Sequence, residues 1–338
     1  MGAIKSKEFQ PLCNDQIVVT INDQYDQPLK RGQCILNSIY KSQDLPGMEQ
    51  PFICLFQYNH TLQQLHIKKH DYPYKYQKKQ ELQDKFNSHK DTTNHLIMFE
   101  HSDVCPNRIY AERCQQAQHS IQYSSRLTNL AVCCVIFDSD DYLLSTRRQQ
   151  RMMFFPKAWV IPGGHVETQE LPEYAALREA GEETGIEIVQ SLNAETQKFE
   201  YFYKDQPCSD LQMFYAFESA TYKDNVNSFE AAKSTHMILF YKIKLPVSRD
   251  KVQLNLQYSE VDQAVWLSEG DIKNLLAKTE TDQVFEGYEP IDKSGAVRKI
   301  QVQQKQLLPH YPNPLGEGLS KAHTMALDYY FNRYKQRD

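Results

Sequence analysis

Residues 164–186 read GHVETQELPEYAALREAGEETGI, and this stretch constrains the chain more than any other. Three of its glutamates, Glu179, Glu182 and Glu183, stand at positions i, i+3 and i+4, which share one face of an α-helix. At a separation of about 5 Å and an effective dielectric constant of about 20, each pair of carboxylates repels by roughly 3 kcal/mol. A stable fold offsets this repulsion with cations. A cluster of oxygen donors without Cys or His suits Mg²⁺ or Mn²⁺.

The other fixed residues of this stretch are spaced just as regularly. Five residues separate Gly164 from Glu170, and seven more separate Glu170 from Arg178. The pattern resembles the Nudix box, G-x5-E-x7-R-E-U-x-E-E-x-G-U, where U is a bulky aliphatic residue. All seven fixed letters are present, and the one departure is Ala180 at the first U position. At about 5–7% for each residue type, seven identities arise by chance on the order of once in 10⁸ windows.

The resemblance implies a chemistry and a role for each matching residue. Nudix proteins hydrolyse a phosphoanhydride in a nucleoside diphosphate linked to another moiety, with a divalent cation that we expect to be Mg²⁺ or Mn²⁺. The implied metal ligands are the carbonyl of Gly163 and the side chains of Glu179, Glu182, Glu183 and, as a looser match, Glu260. The implied catalytic residues are Glu182, Glu183 and Glu260. The residues implied to support the box structurally are Gly164, Glu170, Arg178 and Gly185.

Two arginines and one histidine outside the box are candidate substrate contacts. Arg147 and Arg148 follow a predicted hairpin, and a guanidinium suits bidentate contact with phosphate, although each could equally be a solvated loop charge. His236 opens the apolar run MILFYKIKL, where it either donates to the substrate or only caps the strand. The expected ligand is a small diphosphate of the nucleotide type.

The hydrophobic pattern around the box predicts alternating strands and helices. Residues 130–137 (LAVCCVIF) predict a strand buried on both faces, and DSDD at 138–141 predicts the turn of a hairpin. The box helix should begin at Pro172 and end at Gly185. Together with the resemblance, these signals predict an α/β protein with a Nudix-type α/β/α sandwich around a mixed sheet.

The chain divides into three predicted regions: an N-terminal accessory region at 1–125, a Nudix domain at 126–278 and a C-terminal extension at 279–338. The accessory region has short β-like runs and is expected to be a smaller α/β domain. Its segment 66–80 (HIKKHDYPYKYQKKQ) is basic and rich in tyrosine, and we predict a solvated loop there rather than a nucleic-acid contact. Apolar residues at helical spacing from Leu319 to Tyr330 predict an amphipathic helix that packs on the Nudix domain.

The composition of the chain limits the compartments and the kinds of partner that we expect. The net charge of −5 gives no strong nucleic-acid signal, and no run of 18 apolar residues exists, so we expect a cytoplasmic protein without a transmembrane segment. The first residues, MGAIKSK, fit the N-myristoylation pattern, which makes Gly2 a candidate lipidation site. Because one myristoyl chain binds a membrane with a constant of only about 10⁴ M⁻¹, the expected membrane association is peripheral and reversible.

Several interpretations remain open at this point. The strand HMILFYKIKL, the segment EVDQAVWLS and the tyrosine-rich C-terminal helix resemble one animal subgroup of the family, while LLSTRRQQR matches part of the coenzyme A diphosphatase motif. An active diphosphatase is the leading hypothesis, with RNA decapping and coenzyme A cleavage as substrate variants. The alternatives are a Nudix module that binds nucleotide or RNA with little or no cleavage, and a membrane-tethered scaffold.

Overall fold

The computed structural model describes the chain in nine segments: residues 18–21, 52–59, 64–69, 92–99, 105–122, 128–196, 198–222, 229–309 and 318–335. Gly2, and with it the predicted lipid site, lies outside these segments. In the described segments, no helix is both long enough and apolar enough to cross a membrane.

The N-terminal region contains a four-stranded sheet and one helix. The strands are β1 (Val18–Ile21), β2 (Phe52–Asn59), β3 (Gln64–Lys69) and β4 (Thr92–Phe99), and the helix is α1 (Pro106–Gln116). They pair in the order β1–β3–β2–β4. The prediction of a loop from residue 66 is wrong as far as Lys69, because Leu65 and Ile67 alternate into the core and so place this segment in a strand. Residues 70–80 lie outside the described segments.

A nine-stranded mixed sheet forms the centre of the molecule. Its strands are β5 (Asn129–Phe137), β6 (Leu143–Arg148), β7 (Trp159–Val160), β8 (Gly163–His165), β12 (Gln212–Thr221), β13 (Ser234–Lys244), β14 (Val261–Leu267), β15 (Val284–Pro290) and β16 (Val297–Gln303). The main order is β12–β13–β5–β6–β14–β15–β16, with β7 paired to β6 and β8 paired to β5. Strands β5 and β13 are parallel and the other pairs are antiparallel, so the predicted mixed sheet is confirmed.

Helices cover both faces of this sheet. Successive side chains of a strand point to opposite faces, so Val132 and Cys134 of β5 lie in one core and Cys133 and Val135 lie in the other. The first core contains the buried face of α2 (Pro172–Thr184). The second contains α3 (Glu269–Leu276), α4 (Lys321–Tyr329) and the π-helical turn Tyr330–Tyr334. The predicted α/β/α sandwich is therefore confirmed.

The box helix α2 has the predicted limits. It begins at Pro172, whose missing N–H costs nothing in the first turn, and its N-cap Leu171 makes no side-chain capping bond. It ends at Gly185, which has a φ of 74° and donates its amide to the carbonyl of Gly181 at 2.8 Å. Its buried face includes three alanines, which let the helix lie close against the sheet: Ala175, Ala176 and Ala180.

Several elements of the fold were not predicted from the sequence. One is helix α1, and the others are strands β9 (Val189–Leu192) and β11 (Gln206–Pro207), which form a small sheet with β10 (Phe199–Tyr203). The hairpin β15–β16 adds to β14, so the central sheet continues beyond residue 278, and the domain limit predicted there stays a prediction. Strand β6 also runs on to Arg148, because β7 and β14 pair with it on either side.

The C-terminal helix packs on the domain as predicted. The segment before it is fixed to β7, since the amide of Trp159 donates to the carbonyl of Gly318 at 2.7 Å and the amide of Ser320 donates to the carbonyl of Trp159 at 2.9 Å. Leu319 is buried at this junction. Ala326 of α4 is fully buried in the second core. The amphipathic pattern therefore marks a helix that completes the domain.

Candidate active site

Arg178 gathers the acidic residues of the box around one guanidinium. Its Nε and Nη2 bind the two carboxylate oxygens of Glu170 at 2.8 and 3.0 Å. Its Nη1 binds Glu179 at 2.9 Å and Glu182 at 3.0 Å, and Nη2 also donates to the carbonyl of His165 at 3.0 Å. The bidentate pair with Glu170 joins the loop before α2 to the helix itself, as the resemblance implied. The hydrogen bond to Glu170 is the largest cause of the raised pKa of Arg178, so the cation is permanent.

The three glutamates of the helix face differ strongly in exposure. The side chain of Glu182 is 51% exposed, that of Glu179 is 14% exposed, and Glu183 as a residue is 3% exposed. Burial raises the pKa of Glu183 to about 8, and the neighbouring charge of Glu179 adds to this effect. Burial also raises the pKa of Glu179, against the opposing effect of Arg178. One guanidinium shared among Glu170, Glu179 and Glu182 leaves the cluster net negative.

Two consecutive glycines in β8 allow the close approach of this cluster to the sheet. A Cβ on Gly163 would lie 2.1 Å from the carbonyl oxygen of Val132, so the strand leaves no room for a side chain there. A Cβ on Gly164 would lie 2.5 Å from the carboxylate atoms of Glu179. The amide of Gly163 donates to Glu183 at 3.3 Å. Gly164 therefore makes space for the carboxylate of Glu179, whereas Gly163 lies against the backbone of β5 and binds Glu183 through its amide. The carbonyl of Gly163 as a metal ligand stays a prediction.

A turn after the box brings Glu260 to the same place. The amide of Asn255 donates to the carbonyl of Thr184 at 2.8 Å, and the amide of Gln257 donates to the carbonyl of Glu183 at 3.1 Å. The amide of Glu260 then donates to the carbonyl of Gln257 at 2.9 Å. The charge of Glu260 contributes to the raised pKa of both Glu179 and Glu183. Glu260 thus lies close enough for its charge to act on the box carboxylates, and its role as a metal ligand or catalytic residue stays a prediction.

The two arginines of β6 have different surroundings. Arg147 makes a bidentate ion pair with Asp262 at 2.7 and 2.9 Å and lies over the ring of Trp159. These contacts hold β6 to β14, and a phosphate contact by Arg147 stays a prediction. Among the described residues, no carboxylate forms an ion pair with Arg148. The charge of Arg148 instead acts on Glu183, where it opposes the rise in pKa, and on His165, where it adds to the lowering of the pKa by burial. Of the two arginines, Arg148 is therefore the one available to an anionic ligand.

His165 and His236 form a pair next to the carboxylate cluster, since Arg178 of the cluster binds the carbonyl of His165. His236 Nε2 lies 3.1 Å from Nε2 of His165, and its Nδ1 lies 3.3 Å from the hydroxyl of Ser234. Burial lowers the pKa of His165, with the charge of Arg148 as the second cause. Sequence analysis proposed His236 alone. His165, which is the second residue of the box, has no fixed letter in the pattern, and only the pairing of β8 and β13 to either side of β5 brings the two rings together.

The donor atoms of the cluster are of the chemical type that hard divalent cations bind in proteins. They are carboxylate oxygens, with no thiolate among them, and Glu183 is a buried carboxyl whose charge needs a partner. Glu179 and Glu182 each use one oxygen on Arg178. Across the described segments, no three His, Cys, Asp or Glu side chains form a group that could hold a metal ion as they stand, so the metal site stays a prediction.

Comparison with known proteins agrees with this geometry. Residues 127–286 match the family model described as the NUDIX domain. This part of the chain is a Nudix domain. The match begins next to the predicted start at residue 126 and continues into β15. The box at residues 164–186 lies wholly inside the matched range.

Among curated proteins, the chain is similar to the m7GpppN-mRNA hydrolase NUDT17 of several vertebrates. It is 33% identical to the Xenopus laevis protein over 92 residues, which cover 27% of this chain and 31% of that one. It is 27% identical to the Homo sapiens protein over 183 residues, which cover 54% and 50%. The chain thus spans half or less of the length of these relatives. The animal subgroup that the second half of the chain resembles is this NUDT17 group.

Solved structures with the same domain are more distant. The MutT protein of Methanosarcina mazei Go1 is 17% identical with a TM-score of 0.31, and the match covers 46% of this chain and 84% of that one. A C. elegans Ap4A hydrolase binary complex is 20% identical with a TM-score of 0.26, over 43% and 85%. At scores of this size they add no weight to the assignment, which rests on the domain match and on the box residues.

Proposed function

We propose that this chain hydrolyses a phosphoanhydride bond of a nucleotide-type diphosphate, with water as the nucleophile. The observation that carries the proposal is the carboxylate cluster, in which Glu179, Glu182 and Glu183 share one face of α2 and Glu260 lies in their field. Every fixed residue of the box is present, which favours a working enzyme over a module that only binds nucleotide.

Each part of the site has a role in such a reaction. Glu179, Glu182 and Glu183, with Glu260 and the carbonyl of Gly163, would hold the divalent cation, for which we propose Mg²⁺ or Mn²⁺. When bound, the cation neutralises phosphate charge and acidifies the attacking water. Arg178 holds the glutamates in position through the contacts described above.

The bond changes at phosphorus are those of a simple hydrolysis. The water oxygen bonds to one phosphorus, the bond from that phosphorus to the bridging oxygen breaks, and the bridging oxygen leaves with the other phosphate. A carboxylate of the cluster accepts the proton of the water. Arg148 is placed to contact a phosphate oxygen, because the described residues offer its guanidinium no carboxylate partner.

For the substrate, we propose a 5′–5′ triphosphate-linked nucleotide such as an mRNA cap. The support is the similarity to NUDT17 proteins, whose printed name is m7GpppN-mRNA hydrolase. A coenzyme A diphosphate is the second candidate, since residues 143–151 match part of that motif. The net charge of −5 argues against long contacts along an RNA backbone, so the cap itself is the expected recognition element.

The test is turnover by the full chain on a defined panel with Mg²⁺ or Mn²⁺. The panel contains a cap dinucleotide, capped RNA, coenzyme A, a nucleotide sugar and a dinucleoside polyphosphate. We expect release of a nucleoside monophosphate or diphosphate, loss of activity with chelator, and no activity in the Glu182→Gln/Glu183→Gln variant. Metal binding is measured separately, as a rise in melting temperature with Mn²⁺ in the wild type that the variant lacks.

Three results would contradict this proposal. Unchanged turnover in the double variant would refute the site, and turnover without divalent metal would refute the mechanism. Nucleotide binding without turnover anywhere on the panel would instead support the binding-module alternative. Glu187→Gln is the matched control, because Glu187 is an exposed glutamate just after the same helix and should leave activity unchanged.

The N-terminus carries a separate proposal on location. We propose that Gly2 is myristoylated and gives the protein a peripheral, reversible contact with membranes. The support is the MGAIKS sequence, with Lys5 and Lys7 available to anionic lipid. Mass spectrometry of protein from eukaryotic cells should show the added myristoyl mass on the N-terminal peptide, and Gly2→Ala should remove it. A free or merely acetylated N-terminus would refute the proposal.

A further inference from the structure

A loop beside the carboxylate cluster presents apolar side chains to solvent. It joins β6 to β7, and within it Met153, Phe154 and Phe155 are 86%, 46% and 45% exposed. Isolated exposed apolar residues need no explanation, whereas a contiguous apolar surface commonly marks a binding site. The hydrolysis proposed above uses none of these three residues. They are therefore a surface without an assigned role.

The backbone of this loop is held in an unfavourable conformation. Phe155 and Lys157 have φ values of 51° and 60°, in the left-handed region that residues with side chains rarely adopt. Such strain persists only where surrounding contacts fix it, and it is concentrated at binding and catalytic sites. Here the amide of Ala158 donates to the carbonyl of Phe155, and the amide of Lys157 donates to the carbonyl of Arg148, both at 3.2 Å.

Hydrogen bonds tie the loop directly to residues of the site. The amide of Gln149 donates to the carbonyl of Glu260 at 2.8 Å, and Nε of Arg148 donates to the carbonyl of Phe154 at 3.3 Å. Arg148 is also the cation whose charge acts on Glu183. The backbone that carries the exposed rings is thus tied to both Arg148, the candidate phosphate contact, and Glu260.

Tyr258, two positions before Glu260 in the chain, is a further exposed aromatic residue linked to this loop. It is 36% exposed, and the guanidinium of Arg151 lies 5.4 Å from its ring centre. Nη2 of Arg151 and Nε2 of Gln149 both donate to its carbonyl, at 3.3 and 3.0 Å. The loop and the turn that carries Glu260 are therefore one connected structure, with aromatic rings and arginines on it.

We propose that Phe154, Phe155 and Tyr258 form a stacking surface for a nucleobase of the substrate. This inference rests on the proposed function and names the part of the substrate that the site selects. Every base has a flat π face that stacks on aromatic side chains, while the arginines complement the phosphates that follow the base. Because the loop is linked to Glu260 and Arg148, a ligand whose phosphates reach the carboxylates is favoured. A protein or lipid partner would have no use for these links.

The test compares two non-hydrolysable ligands on the full chain with Mg²⁺. One is a methylene-bridged guanosine dinucleotide triphosphate, and the other is the same compound with ribose in place of each nucleoside. For Phe154→Ala/Phe155→Ala, we expect the Kd of the base-bearing ligand to rise about tenfold, or about 1.4 kcal/mol. The Kd of the base-free ligand should change less than about twofold.

Two further variants separate stacking from general damage. Phe154→Tyr/Phe155→Tyr keeps both rings and should bind the base-bearing ligand as the wild type does. Phe199→Ala removes a phenylalanine that is 43% exposed on β10, in the separate three-stranded sheet, and should change neither Kd. Melting temperatures of all variants should match the wild type, because the truncated side chains are exposed.

The possible outcomes separate the two proposals. Equal loss for both ligands, or no loss for either, would overturn the stacking surface even if turnover is normal. A wild-type preference for the base-bearing ligand that the alanine variant loses supports the stacking surface, even in a chain that hydrolyses nothing on the panel. A wild type that binds neither ligand would overturn the stacking surface, while turnover on the panel would still decide the hydrolysis.

Discussion

At the scale of single residues, Glu183 is the most constrained group in the site. It is a carboxyl buried beside Glu179, with the amide of Gly163 as a hydrogen-bond donor. Because its folded pKa is raised, the metal-free folded protein keeps this proton while the unfolded chain loses it. Stability of the metal-free protein should therefore fall as pH rises from about 4.5 to about 8.

Glu183→Gln tests this carboxyl directly. Glutamine keeps the shape and removes the charge, so turnover should fall by about 100-fold or more. The metal-free variant should unfold at pH 8 at the same temperature as the wild type or a higher one. Activity assays and thermal melts at pH 5 and pH 8 measure the two effects. A variant that is inactive only because it is unfolded would show a lower melting temperature, contrary to this prediction.

The two glycines of β8 should respond differently to the same substitution. In Gly163→Ala the new Cβ meets the backbone carbonyl of Val132, which cannot move without shifting β5, and we expect a loss of about 1–3 kcal/mol in the free energy of unfolding. In Gly164→Ala the new Cβ meets only the carboxylate end of Glu179. Turnover should fall there with a smaller loss of stability. Urea unfolding and turnover are measured on both variants. A larger loss of stability in Gly164→Ala than in Gly163→Ala would refute this reasoning.

At the scale of elements, the attachment of α4 depends on one buried histidine. Nδ1 of His323 accepts the amide hydrogen of Ile161 at 3.0 Å, and its ring meets Phe240 edge-on. Burial lowers the pKa of His323 to about 3, and the charge of Arg148 acts in the same direction. The folded state therefore takes up this proton less readily than the unfolded chain does.

This histidine should make the domain sensitive to acid. Its contribution to stability is complete above pH 6.5 and is lost as pH falls toward about 3, by up to about 1.4 kcal/mol for each pH unit in that window. His323→Asn keeps an acceptor for Ile161 but cannot titrate there. The variant should flatten the profile of unfolding free energy between pH 6 and pH 4. If the profiles of variant and wild type run parallel, a group other than His323 is responsible for the loss of stability in acid.

At the scale of the whole molecule, the N-terminal sheet is part of the support of the box. Cys54, Phe56 and Ile67 share a core with α2, and the hydroxyl of Tyr58 donates to the carbonyl of Glu170 at 3.1 Å. Helix α1 adds a buried polar contact, in which Nδ2 of Asn107 donates to Glu218 of β12 at 2.8 Å. The accessory region and the Nudix domain are thus packed as neighbours through a common apolar interior.

Removal of residues 1–104 should therefore destabilise the remaining domain, because it exposes the apolar side chains that meet this sheet. We expect a lower melting temperature and poorer solubility than for the full chain. Tyr58→Phe, which keeps the ring and removes the hydroxyl, should cost only about 1 kcal/mol. Differential scanning calorimetry of the three proteins tests this. A deletion that melts like the full chain would show that the shared core contributes little.

The sequence predicted well those parts of the site that depend on local spacing. The limits of α2 and the pairing of Arg178 with Glu170 both follow from residues within one motif. Strand pairing across β6 was less accessible, since Arg147 and Arg148 look like residues after the hairpin until β7 and β14 are seen on either side of the strand.

The sequence by itself therefore determined the box helix and the acidic face that it presents, because helical periodicity turns residue spacing directly into side-chain direction. Tertiary structure alone decided which glutamate is buried, which of the two arginines stays available to a ligand, and that His165 meets His236. Those outcomes depend on contacts between segments tens to over a hundred residues apart, and pairing register, unlike helical period, is not written in the spacing of neighbouring residues.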